Sequence, residues 1–172
     1  MKINLVPVRP RDLETVREIY NQYVLNSTST MRLQAMSKRE IRTSILVNHP
    51  KYKSFLIMDN TQVCGYCYIS PFRIRHAYER TAEITIFLKP EFTGKGIGKI
   101  AVLELERHAI ESGIRVLIGN ISSDNEPSIR LFEQCGYKKC AHYTEVAEKF
   151  GKLIDVVAVQ KVIGVQVVGG DS

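Results

Sequence analysis

The chain has 172 residues, 44% of them hydrophobic and 24% charged, a balance that supports a packed core and excludes a disordered or fibrous chain. No stretch reaches the ~18 apolar residues of a membrane helix and Met1–Pro7 lacks the apolar run of a secretory leader, so a cytoplasmic protein with no membrane partner is expected. The net charge is +6, but Lys and Arg are interleaved with Glu, which points to a solvated basic surface or an anionic ligand rather than nucleic acid.

Ile3–Val8 reads as an edge strand closed by Pro10. Asp12 then caps a helix in which Leu13, Val16, Ile19, Tyr20 and Tyr23 recur at helical spacing. Ser37 starts a second helix, with Ile41, Ile45 and Leu46 as its apolar stripe and His49-Pro50 as its expected end. Ser54–Met58 and Val63–Ser70 flank the turn Asp59-Asn60-Thr61 and predict a hairpin. Thr81–Leu88 alternates most clearly, with Ala82, Ile84, Ile86 and Leu88 on one face and Glu83, Thr85 and Phe87 on the other.

A glycine-rich loop follows, then a helix over Ile97–Glu111 with Gly113 just past its end. Arg115–Ile121 reads as a strand. Glu126–Cys135 reads as a short helix with Pro127 in its first turn and Gly136 as its stop. Tyr137–Val146 and Lys152–Val162 predict a closing hairpin. Residues 1–164 are expected to form one domain, with 165–172 a short tail. Strands in runs at both ends, around a β-loop-α-β-α unit, imply a mixed α/β or α+β sandwich.

The sequence holds four cysteines, and Cys64-Gly65-Tyr66-Cys67 has the spacing of a metal or redox pair. On a regular strand an odd separation sends the two side chains to opposite faces. No second such pair completes four ligands, so reduced structural thiols are expected and no metal.

Thr93-Gly94-Lys95-Gly96-Ile97-Gly98-Lys99 lies between an alternating strand and an amphipathic helix. Glycines let successive N–H groups turn into one concavity, and the helix start adds partial positive charge, which suits a phosphate or pyrophosphate. The same glycines also permit a tight turn with no ligand, the lesser reading of this segment. A P-loop requires Ser or Thr after the lysine, and Ile100 follows Lys99. A dinucleotide fold requires a third glycine three residues after the second, and here it comes after two.

At this loop the chain resembles the GCN5-related N-acetyltransferases, whose motif Gln/Arg-x-x-Gly-x-Gly/Ala reads here Thr93-x-x-Gly96-x-Gly98. It is more similar still to the phosphinothricin and methionine sulfoximine acetyltransferase branch. Tyr20–Val24, His76–Glu83, Asn125–Leu131 and Phe150–Val156 carry that likeness, in order, over almost the whole chain. The resemblance implies a central mixed, mostly antiparallel twisted sheet flanked by helices on both faces, with acetyl-CoA as co-substrate. It assigns Ile86, Phe87 and Leu88 to the pantetheine arm and Gly94, Lys95, Gly96, Ile97, Gly98 and Lys99 to the pyrophosphate. Asn125 and Gln134 are further cofactor contacts. His76, Ala77 and Tyr78 form a substrate-side loop, Glu83 is the acidic residue at the reacting centre, and the branch forms homodimers.

An ammonium has no lone pair, so a base is required, and Glu83 on the polar face of its strand suits that task. Taken alone it reads rather as a strand-surface glutamate paired with Arg80 or another cation. A strand N–H near Ile86–Leu88 can serve the thioester oxygen if pairing is splayed there. Phe132 stands where relatives carry His or Tyr, and Leu153-Ile154 replaces an aromatic and a histidine before Asp155. Both changes make the substrate side more apolar. The reading is therefore a small-molecule N-acetyltransferase acting on an amino acid or analogue. The alternatives are acetylation of a protein N-terminus or polyamine, and a non-catalytic acetyl-CoA-binding module.

Overall fold

The structure is a computed structural model that describes residues 1–164; the expected tail, 165–172, lies outside the described residues. Seven strands form one sheet in the order β1-β2-β3-β4-β5-β7-β6. They are β1 (Ile3–Pro7), β2 (Ser54–Asp59), β3 (Gln62–Pro71), β4 (Thr81–Leu88), β5 (Val116–Ser122), β6 (Lys138–Lys149) and β7 (Lys152–Val162). Every neighbouring pair is antiparallel except β4 and β5, which run parallel. The parallel step needs a crossover, and α3 (Ile97–Glu111) supplies it.

Both faces of the sheet are covered, as the resemblance implies. On one, α3 buries Ile97, Ala101, Val102, Leu105 and Ala109 against Ile57, Ile69, Ile84 and Leu117. On the other, α1 (Leu13–Asn26) and α2 (Lys38–Ser44) bring Leu13, Val16, Ile19 and Ile41 onto Leu56, Tyr66 and Phe87. Alternation along β4 serves both cores at once. Ala82 and Ile84 enter the first and Phe87 enters the second, edge-on to Tyr20 with ring centroids 5.4 Å apart.

Two expectations change. The second helix ends at Ser44 rather than at His49-Pro50: Ile45 is already extended, and its side chain is buried from that conformation. Cys64 and Cys67 do not face opposite ways; both are buried in the core under α3. The register slips between Ile57, which pairs with Gly65, and Met58, which pairs with Val63, so Cys64 is an extra residue and the parity shifts by one. Among the described residues no group of three or more His, Cys, Asp or Glu could hold a metal ion.

Candidate acyl-transfer site

Strands β4 and β5 pair only over Thr81–Glu83 and Val116–Ile118. Beyond that rung β4 stays with β3 through Leu88, whereas β5 stays with β7, its other neighbour from Val116 through Ser122. A gap opens between two strands that began as neighbours, which is the splay that the resemblance requires. The backbone parity of β4 follows from its ends. Lys89 N donates to Cys64 O of β3 at 2.8 Å, and Arg80 O accepts from Arg115 and Val116 on the β5 side. Alternation then turns the C=O of Ile84 and both backbone groups of Ile86 and Leu88 into the gap, and those of Thr85 and Phe87 toward β3. One of these carbonyls already has a partner, because Tyr23 Oη donates to Leu88 O.

The gap widens into a cleft of about 780 Å³ lined by β4 residues 84–88, the glycine loop, the end of β5 and α4 (Glu126–Gln134). Gly94 and Gly96 have φ of 71° and 77°, the left-handed region, and a Cβ at either would meet no atom within 4 Å. Their glycine is required by backbone conformation, and the space over them is open to a ligand. Gly96 is the N-cap of α3 and has no side chain to occupy the first-turn N–H groups, which remain for an anion. Gly98 has a different reason: a Cβ there would lie 2.9 Å from Leu131 Cδ2, so it sets the close approach of α3 and α4.

Of the residues singled out by sequence, Ile86, Phe87, Leu88, Gly94, Gly96, Gly98, Lys99, Asn125 and Gln134 line the cleft. Lys95 and Ile97 do not. The Lys95 ammonium packs 5.5 Å from the Phe92 ring centroid, and Ile97 is fully buried in the core. His76, Ala77 and Tyr78 form a 3-10 turn outside the cleft, where His76 Nδ1 lies 2.8 Å from Glu79 Oε1 and Tyr78 packs on Phe72. Glu83 sits at the last paired rung, opposite Ile118, below the point where the strands part. Half-buried, its carboxyl is pushed above the usual carboxylate range by burial, and the Asn120 side chain acts in the other direction.

The structure also brings residues to the cleft that sequence reasoning passed over: Tyr23, Ser29, Asn120, Ser128 and Arg130. Arg130 was detectable as a basic residue on the short helix, one turn after Glu126; Asn120 and Ser29 depend on where β5 and the α1–α2 loop end in space, and Tyr23 and Ser128 on how α1 and α4 face the cleft. Phe132 lines the cleft with its edge against Tyr137, at 4.9 Å between ring centroids. His142 has a partner near the bulge of β6: its Nε2 lies 2.6 Å from Asp155 Oδ2. Asp155 also accepts from Glu145 N at 2.8 Å, so it holds the bulge that interrupts β6 between Tyr143 and Ala147.

A strand with free N–H groups, left-handed glycines before a helix start, and Lys99 with Arg130 at the rim together fit a pantetheine arm ending in a pyrophosphate. Residues 13–137 match the Acetyltransferase (GNAT) family, and the chain belongs to that family. It is an acetyl-CoA-dependent N-acetyltransferase. The chain is 30% identical over 159 residues to phosphinothricin N-acetyltransferase of Streptomyces coelicolor, covering 88% of this chain and 92% of that one. It is 28% identical to the L-amino acid N-acyltransferase MnaT of Escherichia coli (strain K12), covering 88% and 89%. A phosphinothricin acetyltransferase from Sinorhizobium meliloti, solved in complex with AcCoA, superposes with a TM-score of 0.89 at 30% identity, covering 100% of this chain and 94% of that one.

Proposed function

We propose that the acetyl acceptor is the amine of a small amino acid or amino-acid analogue, and that Glu83 removes the proton that frees its lone pair. The observation that carries this reading is the position of Glu83 at the rung where β4 and β5 separate, directly below backbone groups that face the gap. An acceptor amine reaching that rung would meet the carboxylate on one side and the thioester on the other. The N–H groups of Ile86 and Leu88 are donors available to the thioester oxygen as it gains charge. Tyr20, Tyr66, Tyr68 and Phe87 sit on the same face of the sheet as Glu83, which favours an acceptor with an apolar side chain. The His76–Tyr78 turn runs into the strand that carries Glu83, and this supports a place for it at the outer edge of the acceptor's path.

The reading is cytoplasmic, with neither nucleic acid nor membrane as a partner, and it includes a homodimer. β6 is the outermost strand of the sheet, and its hairpin with β7 exposes Tyr143, Val146, Phe150 and Leu153, each about half or more accessible. An unpaired edge beside apolar side chains is the kind of surface a second copy covers. Sedimentation as a monomer throughout a concentration series would remove the dimer.

The deciding experiment is thiol release from acetyl-CoA over phosphinothricin, L-methionine sulfoximine, the common amino acids, polyamines and a short peptide. Turnover is expected with amino acids or the sulfoximine. Turnover restricted to polyamines or the peptide would overturn the acceptor class. Tight acetyl-CoA binding with no turnover would leave a binding module.

A further inference from the structure

The segment that follows α1 makes contacts that acyl transfer leaves unused. Thr28 Oγ1 donates to both carboxylate oxygens of Asp124, at 2.9 and 2.8 Å. Ser29 Oγ accepts from Asn125 Nδ2 at 3.2 Å, while the other end of that amide accepts from Ser128 N and caps α4. Thr30 is held twice: its carbonyl accepts from Lys149 Nζ at 2.9 Å, and its hydroxyl lies 2.7 Å from Tyr20 Oη. Asp124 is fixed in turn by the Ser122 hydroxyl. The contacts to Asp124 and Asn125 each span 96 positions of chain and that to Lys149 spans 119. None of these three arises from local turn geometry.

Three consecutive residues are thus tied to the β5–α4 corner, to the α4 cap, and to β6 with α1. Ser29, Ser122 and Asn125 all line the cleft, so the ties join two of its walls. Lys149 is 2% exposed, and Thr30 O is its hydrogen-bond acceptor across the loop. A buried ammonium is costly unless it is hydrogen-bonded, so losing Thr30 O would be penalised, and this holds the loop against β6.

We propose that Thr28–Thr30 is a strap that couples the two halves of the site. Through Asp124 and Asn125 it fixes the wall beside the acceptor to the start of α4, so that a ligand ordering α4 also orders that wall. The assignment of the two halves rests on the acyl-transfer reading above. Thr28 and Asp124 are positioning residues, since neither touches a reacting atom. Coupling of this kind is reciprocal, so acceptor binding should tighten the acetyl-CoA side by the same factor.

Thr28→Val keeps the shape of the side chain and removes the donor. Hydrogen exchange of the full chain, with and without acetyl-CoA, is followed at the Ser29 and Arg32 amides, which donate to Ser27 Oγ and Thr30 Oγ1. In the wild type acetyl-CoA should slow both amides by about tenfold, the worth of one charge-assisted hydrogen bond, and in Thr28→Val by less than about twofold. With L-methionine sulfoximine as acceptor probe, KM should rise about tenfold while kcat and the acetyl-CoA dissociation constant move by less than about threefold. Thr28→Ser, which restores the hydroxyl, should recover both, and Asp124→Asn should weaken the strap from its other end. Equal protection by acetyl-CoA in wild type and Thr28→Val overturns the strap. If the wild type binds no acetyl-CoA, the acyl-transfer reading fails instead. The strap is then decided in the free protein, where equal exchange of wild type and Thr28→Val at these amides overturns it. If the sulfoximine is not turned over, the exchange measurement alone decides.

Discussion

At the residue scale, the role proposed for Glu83 and the apolar side chain of Phe132 bear on opposite halves of the chemistry. Burial raises the Glu83 carboxyl above its ordinary value of 4.5. A native state that binds this proton more tightly is favoured at low pH. The stability it contributes is present below 4.5 and is lost as pH rises through the raised native value. For a base the same shift is useful, because it moves proton affinity toward the working pH. The rate should therefore rise with pH along a limb lying above 4.5. Glu83→Gln should erase that limb and lower turnover by about 10²–10⁴-fold, the usual worth of general-base catalysis. Phe132 cannot donate a proton to the departing thiolate. A thiol of pKa near ~8.5 leaves without one far more readily than an alkoxide. Phe132→Tyr should then change turnover less than Glu83→Gln. A wild type that is inactive on every amine and rescued by Phe132→Tyr would show instead that the missing acid matters. The ring's place is well determined: a Cβ on Gly119 would sit 3.6 Å from its Cζ, and Tyr137 meets it at its edge.

At the element scale, α2 shows how a short helix depends on its ends. Glu40 N donates to Ser37 Oγ at 3.3 Å, and Ser37 N donates to Glu40 Oε2 at 2.8 Å, a reciprocal cap. That backbone N–H of Ser37 is the largest cause holding the Glu40 carboxyl at about 2, ahead of the Ser37 hydroxyl and Arg32. A depressed carboxyl stabilises above its ordinary 4.5, and the contribution is lost as pH falls through about 2. The Ile41 and Ile45 amide resonances should follow that titration. Ser37→Ala should cost about 1 kcal/mol and raise the pH at which the resonances move. Unchanged titration in Ser37→Ala would leave the shift to the backbone N–H at position 37 and to Arg32, with no part for the hydroxyl. The cap itself was legible, since Ser37 stands three residues before Glu40. The early end of the helix was not, because it depends on Ile45 finding the core from an extended backbone.

At the scale of the whole molecule, two cores hold one sheet, and the site is where that sheet fails to stay paired. A ligand filling a gap between strands should stabilise all that depends on their alignment. Acetyl-CoA at about 100 times its dissociation constant should add roughly 2.7 kcal/mol by mass action. For a chain of this size that is a rise of about 5–11 °C in the melting temperature. Gly96→Val should abolish the shift, but crowding within the protein is not the cause. The protein has room for the Cβ; what valine cannot do cheaply is hold φ at 77°. An undiminished shift in Gly96→Val, measured by calorimetry, would mean that the ligand does not use this loop.

The sequence by itself determined the elements whose cause is local. β4 alternates over Thr81–Leu88 and α3 spans Ile97–Glu111, as periodicity and the Gly113 stop predict. The glycine loop was legible because left-handed turns before a helix demand glycine whatever the rest of the chain does. Only the tertiary structure decided the divergence of β4 and β5. That divergence arises because β5 stays with β7 through Ser122 while β4 stays with β3 through Leu88, and the choice of neighbour is a property of pairing that no single segment encodes. The same holds for Cys64 and Cys67, whose shared face follows from a register slip against β2. Thr28–Thr30 was opaque for the same physical reason. Its partners are about a hundred residues away, and a hydroxyl-rich loop reads alike whether it is free or strapped to the site.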